Sequence, residues 1–195
     1  MAAAQTLFLV HGYQGTSVDQ IAAVAEVSKQ TVYKHFGDKR ELLKAIVTAV
    51  VDATVRPFLD RIVALAESSD LEPELLALGN DYLRSVLAEP VVQLRRLVIA
   101  EANQLPELAH FYYHRAPAEV LSAFAAAFER LDGRGLLRVP EARSAANHFA
   151  FLIVGSSIDR ALFFGGPATL GDLDVEASVR AGVRVFLAAY ESPRS

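Results

Sequence analysis

The sequence predicts an all-α protein, and two observations carry that reading. Apolar residues recur at three- and four-residue intervals through most of the chain. No run alternates apolar and polar residues between turn signals, as a half-buried strand requires. Ala4, Leu7 and Phe8 share one face of a first helix, Ala2–His11, which Gly12 stops. Thr16-Ser17 offers an N-cap to a second helix carrying Val18, Ile21, Ala22 and Ala25. Ser28 caps a third, with Thr31, Val32 and Phe36, closed by Gly37. Asp38 caps a long fourth helix with a stripe of Leu42, Leu43, Ile46, Val47 and Val50; Pro57 is expected to kink it or start a new segment. Ser68-Ser69-Asp70 ends it. Further helices are expected over Pro73–Leu87, Pro90–Gln104, Pro106–Leu131, Pro140–Phe164 and Val175–Tyr190, several opening on proline at the favoured first turn. Gly133-Arg134-Gly135 and the stretch from Gly165 to Asp174 read as loops.

Composition narrows the class. A chain of 195 residues, 52% hydrophobic and 22% charged, is long enough for a core and too apolar for a disordered chain. It has no cysteine, which removes disulfides and thiolate metal sites and fits a reducing compartment. No apolar run approaches the ~20 residues of a spanning helix. The start has no basic region of a signal peptide, so the expectation is a soluble cytoplasmic protein without a membrane partner. Charge is uneven. Residues 1–45 hold five basic and four acidic side chains, a net of +1, whereas the remainder nets −5, and all four lysines lie in that first segment. A local basic patch sets the short-range field even in a mildly acidic chain.

Thr16 to Lys39 is the informative stretch. Two helices of about eight residues joined by Glu26-Val27-Ser28 make a helix-turn-helix. Ala22 is small at the crossing, Val27 is expected to plug the turn, and Ile21, Val32 and Phe36 to form a small core. The outward positions of Lys29–His35 carry amide, hydroxyl, phenol and ammonium groups, which suit base edges and phosphates. Spacing alone leaves open an exposed polar helix in an ordinary bundle.

The run from Gly12 to Ala22, with Val27-Ser28-Lys29-Gln30-Thr31-Val32-Tyr33-Lys34-His35-Phe36-Gly37-Asp38-Lys39-Arg40-Glu41-Leu42-Leu43, resembles the DNA-binding domain of TetR-type transcriptional regulators. Arg95 to Asn103, followed by Leu105-Pro106-Glu107-Leu108, is similar to the AefR-like C-terminal subgroup over about the middle third of the chain. The resemblance implies a homodimeric repressor whose C-terminal domain binds a small ligand and dimerises through its last two long helices. Two features depart from the family. Basic residues that usually precede the first helix are missing, so either the start is set late or some phosphate contacts are lost. The turn position often held by glycine is Glu26, which is disfavoured by roughly 1 kcal/mol if it needs positive φ.

Catalytic chemistry finds no signature. His110 and His114 have ligand-like i,i+4 spacing but no adjacent glutamate, so no metal site is expected. Gly155-Ser156-Ser157 is not a nucleophile elbow, and its small residues suggest close helix approach. Gly165-Gly166 lacks a phosphate-loop lysine, and no cofactor is expected. For an effector, the polar candidates are Tyr82, Asn103, His110, Tyr112, Tyr113, His148 and Arg160, with Phe111 among the apolar ones; the abundance of phenylalanine suggests an apolar or aromatic ligand.

The expected architecture is therefore a helix-turn-helix DNA-binding domain over 1–45 and a helical ligand-binding and dimerisation domain over 46–195. Base edges are assigned to Gln30, Thr31, Tyr33 and His35, and phosphates to Lys29, Lys34, Lys39 and the helix start at Thr16-Ser17, with Ser28 at the head of the reader. The effector is expected at Tyr82, Asn103, His110, Phe111, Tyr113 and His148, and the homodimer through 144–164 and 175–190. The alternative is a helical module that binds another protein without DNA. A docking helix of that kind needs outward apolar anchors, and Lys29–Lys39 shows polar and basic groups instead.

Overall fold

The structure, a computed structural model, describes residues 1–192. Helices α1 (Ala2–His11), α2 (Val18–Val24) and α3 (Lys29–Phe36) form the N-terminal unit. The long α4 (Lys39–Leu65) leads to α5 (Leu71–Val86), α6 (Glu89–Glu101), α7 (Pro106–Arg115), α8 (Pro117–Gly133), α9 (Ala142–Phe164), α10 (Gly166–Gly171) and α11 (Val175–Tyr190). Among the described residues the only extended pairing is an isolated antiparallel bridge between Leu137 and Glu191. No described helix is long and apolar enough to cross a membrane.

Local chemistry sets the helix ends. Ser17 and Gln20 form a reciprocal capping box on α2, Ser28 Oγ accepts from the Thr31 N–H, and Asp38 Oδ1 accepts from the Glu41 N–H at 2.8 Å. Three expectations are corrected. The segment 106–131 is two helices, because Pro117 drives Ala116 out of the helical region (φ −127°, ψ −83°). Pro57 leaves α4 unbroken; both it and Ala53, whose carbonyl loses its intrahelical donor, are exposed, so that oxygen is not sealed in the core. Residues 166–171 are helical where a loop is expected.

Two cores hold the molecule. The larger lies between α4, α5, α8, α9 and α11 around Phe124, Phe128, Phe149 and Phe186, all fully buried, with Phe124 and Phe149 edge-on at 5.0 Å. Gly79 and Gly182 let α5, α9 and α11 close up, since a Cβ at Gly79 would stand 2.8 Å from Val179 Cγ1 and one at Gly182 2.8 Å from the Leu152 carbonyl. Gly155, by contrast, has nothing near its missing Cβ. Its backbone (φ 34°, ψ −129°) is non-helical and bends α9, so the small residues there serve a kink rather than close approach.

The second core joins the N-terminal unit to the body. Ala4, Phe8, Ile21, Val32, Leu43 and Val47 pack in one cluster with Leu94, Leu97 and Val98 of α6 and Leu108 and Tyr112 of α7. Arg40–Glu107 at 3.3 Å and Arg115–Asp52 at 2.6 Å tie α7 to α4. The N-terminal unit thus rests on α6 through α1 as well as continuing into α4.

Candidate DNA-reading helix and ligand cavity

The turn between α2 and α3 is closed by the Val27 N–H donating to the Ala22 carbonyl at 3.0 Å, with Glu26 at φ 54°. It is the one non-glycine residue among those described with positive φ. Glu26→Gly should therefore raise stability by about 0.5–1 kcal/mol, the removed strain less the entropy glycine adds to the unfolded chain, read as a higher urea midpoint with unchanged slope. Val27 does not plug the turn: it is 43% exposed, and Ile21, Ala22 and Val32 form the buried contact, with Phe36 half-buried beside them.

Away from Val32, α3 presents Gln30, Tyr33 and Lys34 to solvent, and His35, also exposed, lies one turn on from Val32 beside Phe36; none of these four side chains hydrogen-bonds within the described residues. Thr31 is half-buried, its hydroxyl 2.8 Å from Ser28 Oγ. Lys29 Nζ meets Asp19 at 2.9 Å in an exposed pair, which raises the lysine pKa through that hydrogen bond and charge. Such surface pairs exchange readily for a stronger anion.

Three other assigned residues have internal partners. Thr16 is buried, its hydroxyl donating to the carbonyls of Gly12 (2.8 Å) and Leu7 (3.1 Å), so its side chain latches α1 to α2 and does not reach a phosphate. Ser17 is engaged in the capping box. Lys39 Nζ donates to the carbonyls of Tyr13 and Thr16, each at 2.9 Å, and lies 4.1 Å from the centre of the Tyr13 ring. It pins the α1–α2 loop against the start of α4, a role the sequence does not announce.

Behind this unit lies a cavity of about 60 Å³, lined by Val50, Val51, Thr54, Val55 and Phe58 of α4, Tyr82, Ser85 and Val86 of α5, Val91, Leu94 and Arg95 of α6, Tyr112 of α7, Ala116, and Pro117 and Val120 of α8. Of the effector candidates named from the sequence, Tyr82 and Tyr112 line it. Asn103, His110 and Tyr113 are exposed at the outer surface of the α6–α7 region, and Phe111 packs under Lys44 and Arg115. His148 sits on the outer face of α9, its Nδ1 2.6 Å from the Tyr190 hydroxyl, and Arg160 pairs with Asp172. His110 and His114 gather no metal-binding group among the described residues. Sequence reasoning missed Arg95, Ser85 and Thr54. The signal available for Arg95 is its position among Val91, Leu94 and Val98, which places a cation beside the buried stripe of α6.

A capped two-helix reader with an unpartnered polar face, set on a larger helical body, defines a helix-turn-helix DNA-binding protein. The chain belongs to the TetR family: the family described as bacterial regulatory proteins, tetR family, matches residues 1–46, and the AefR-like transcriptional repressor C-terminal domain matches residues 73–192. The second match reaches well beyond the middle third that the sequence resemblance covers. A curated relative, the DNA-binding transcriptional repressor TetR of Mycobacteroides abscessus, is 28% identical over 167 residues, 86% of this chain and 82% of its own. The crystal structure of a putative TetR-family transcriptional regulator from Mesorhizobium loti is 31% identical, with a TM-score of 0.89 over 97% of this chain and 94% of that one. The flavonoid-responsive regulator FrrA is 28% identical, with a TM-score of 0.77 over 100% and 95%. The protein is a DNA-binding transcriptional regulator and not an enzyme.

Proposed function

We propose that the chain is a ligand-released repressor that binds a palindromic operator as a homodimer in the cytoplasm, with its DNA-binding unit ending near residue 45 and the remainder serving ligand and partner. The observation that carries the reading is that five residues of α4, the helix leading directly out of the reader, line the cavity. A ligand that widens the cavity displaces α4 and with it the spacing of the two readers, which must stand about 34–36 Å apart to enter successive major grooves. A ligand preferring the displaced state weakens operator binding by the same factor. One relative is named flavonoid-responsive, in keeping with a small aromatic effector. The test is operator affinity with and without a ligand that demonstrably binds; equal affinities at saturation would refute release.

Within this reading α3 enters the major groove with Gln30, Thr31, Tyr33 and His35 at base edges, while Lys29 and Lys34 hold phosphates. Lys39 and Thr16 support the reader from inside. Lys34→Ala should weaken binding to every sequence alike and flatten the plot of log affinity against log salt by about one unit per protomer. A loss confined to one operator base change would reassign Lys34 to base reading.

The partner surface proposed is α9 with α11. On α11 the stripe Val175, Val179, Val183, Phe186 and Leu187 is buried in the chain's own core, while Ala177, Ala181, Val185 and Ala188 on the other face are exposed. Phe151 and Leu152 of α9 adjoin that face, 65% and 37% exposed. A second copy applied across a two-fold axis completes a four-helix contact.

A further inference from the structure

The α4–α8 cavity carries an inference about what fills it, resting on its being the effector site. The walls are mainly aliphatic, with Phe58 stacked on Tyr82 at 5.1 Å. Yet among the lining residues the hydroxyls of Tyr82 and Ser85 and both terminal nitrogens of Arg95 have no hydrogen-bond partner among the described residues. The remaining polar groups are already committed: Thr54 Oγ1 donates to the Val50 carbonyl at 2.8 Å, and the Tyr112 hydroxyl accepts from Arg95 Nε at 3.3 Å. Among the described residues no acidic, lysine or histidine side chain lines the cavity, and no carboxylate pairs with Arg95. Burial pushes the Tyr82 phenol up to about 12, against the pull of Arg95, so it stays neutral at physiological pH. Arg95 is then the single charge on the lining, a half-buried cation without a counter-ion.

We propose that the effector is a small monoanion, a carboxylate on an apolar ring or short chain, with the carboxylate across the terminal nitrogens of Arg95 and beside the hydroxyls of Ser85 and Tyr82. Guanidinium and carboxylate match as a two-pronged pair, and with Nε held by Tyr112 the end of the fork is what remains. A neutral ligand would cover the cation without pairing it, a cationic ligand would repel it, and a dianion would bring a second charge with no partner. The cavity volume of about 60 Å³ has room for on the order of four to six waters, roughly a single ring.

The test uses the full chain with benzoate, its neutral isostere benzamide, and octanoate as a short-chain carboxylate, followed by calorimetry. At least one carboxylate should bind, and benzoate at least tenfold more tightly than benzamide. Arg95→Gln should abolish that preference while benzamide affinity holds, and Arg95→Lys should restore part of it. Thermal melting of each variant reports whether the fold is intact. Equal binding of benzoate and benzamide, a preference that survives Arg95→Gln, or no binding of either carboxylate overturns the assignment. Arg95-dependent binding that leaves operator affinity unchanged supports the anion site and refutes ligand release instead; release by benzamide without anion preference does the reverse.

Discussion

Glutamate in place of Phe151 is expected to leave a folded monomer whose operator affinity is lower by at least two orders of magnitude. Phe151 is 65% exposed on α9 and borders a hollow of about 460 Å³ shared with Leu152, His148, Val185 and Ala189. Its ring is largely exposed and makes no aromatic pair among the described residues, so the fold loses little when it is replaced. In a two-fold contact the substitution counts twice and sets two like charges in an apolar seam, where an unpaired carboxylate is strongly disfavoured. A monomer keeps one reader and loses the effective concentration of the second, a factor on the order of 10²–10⁴. Sedimentation velocity at micromolar concentration and operator titration at fixed salt report the two effects together. A variant that remains dimeric would place the interface elsewhere.

The legible parts of the fold are those marked locally. Ser17, Ser28 and Asp38 cap the helices they were expected to cap, and α11 spans Val175–Tyr190 as its apolar stripe requires. Those signals act over one or two turns, so the sequence carries them in full. At Glu26 the sequence offered only a condition, taken from the resemblance to a family that often holds glycine there, and the observed φ of 54° meets it. The break at Ala116 was equally local, and the proline rule applied at Pro117 would have found it.

The α4–α8 cavity was not legible because a void has no sequence period. Its lining comes from five helices, and each contributes only the residues that face one point. In α7 the inward positions are Leu108 and Tyr112, four apart, which turns His110 and Tyr113 outward whatever their chemistry. Arg95 was passed over because arginine ordinarily reads as surface, yet it follows Leu94 on the half of α6 that meets α7. Thr16 and Lys39 show the complementary error. Both sit where a phosphate contact is chemically sensible, but unsatisfied carbonyls at the end of α1 and in the loop after it claim them first.

The second large effect concerns the body core. Phe124→Ala is expected to lower stability by about 3–5 kcal/mol and the melting temperature by roughly 10 °C in a chain of this size. The ring is fully buried and meets Phe58, Tyr82, Phe128 and Phe149, at centroid distances from 5.0 to 6.0 Å. Neighbours held by three other helices cannot collapse together into the vacated space, so the loss includes a cavity as well as the transfer of the ring. Phe36→Ala gives the contrast. The sequence suggests a fully buried ring and a loss of the same size, but Phe36 is half-buried, so about 1–2 kcal/mol is expected. Because Phe124 packs against Phe58 and Tyr82, which line the α4–α8 cavity, the vacated space also lies behind that aromatic wall. Phe124→Ala should therefore accept a larger ring more readily than the parent, in addition to melting earlier. Denaturant midpoints for the two variants, measured beside the parent, check the order. If Phe36→Ala destabilises as much as Phe124→Ala, the reader and the body share their stability more evenly than their burial indicates.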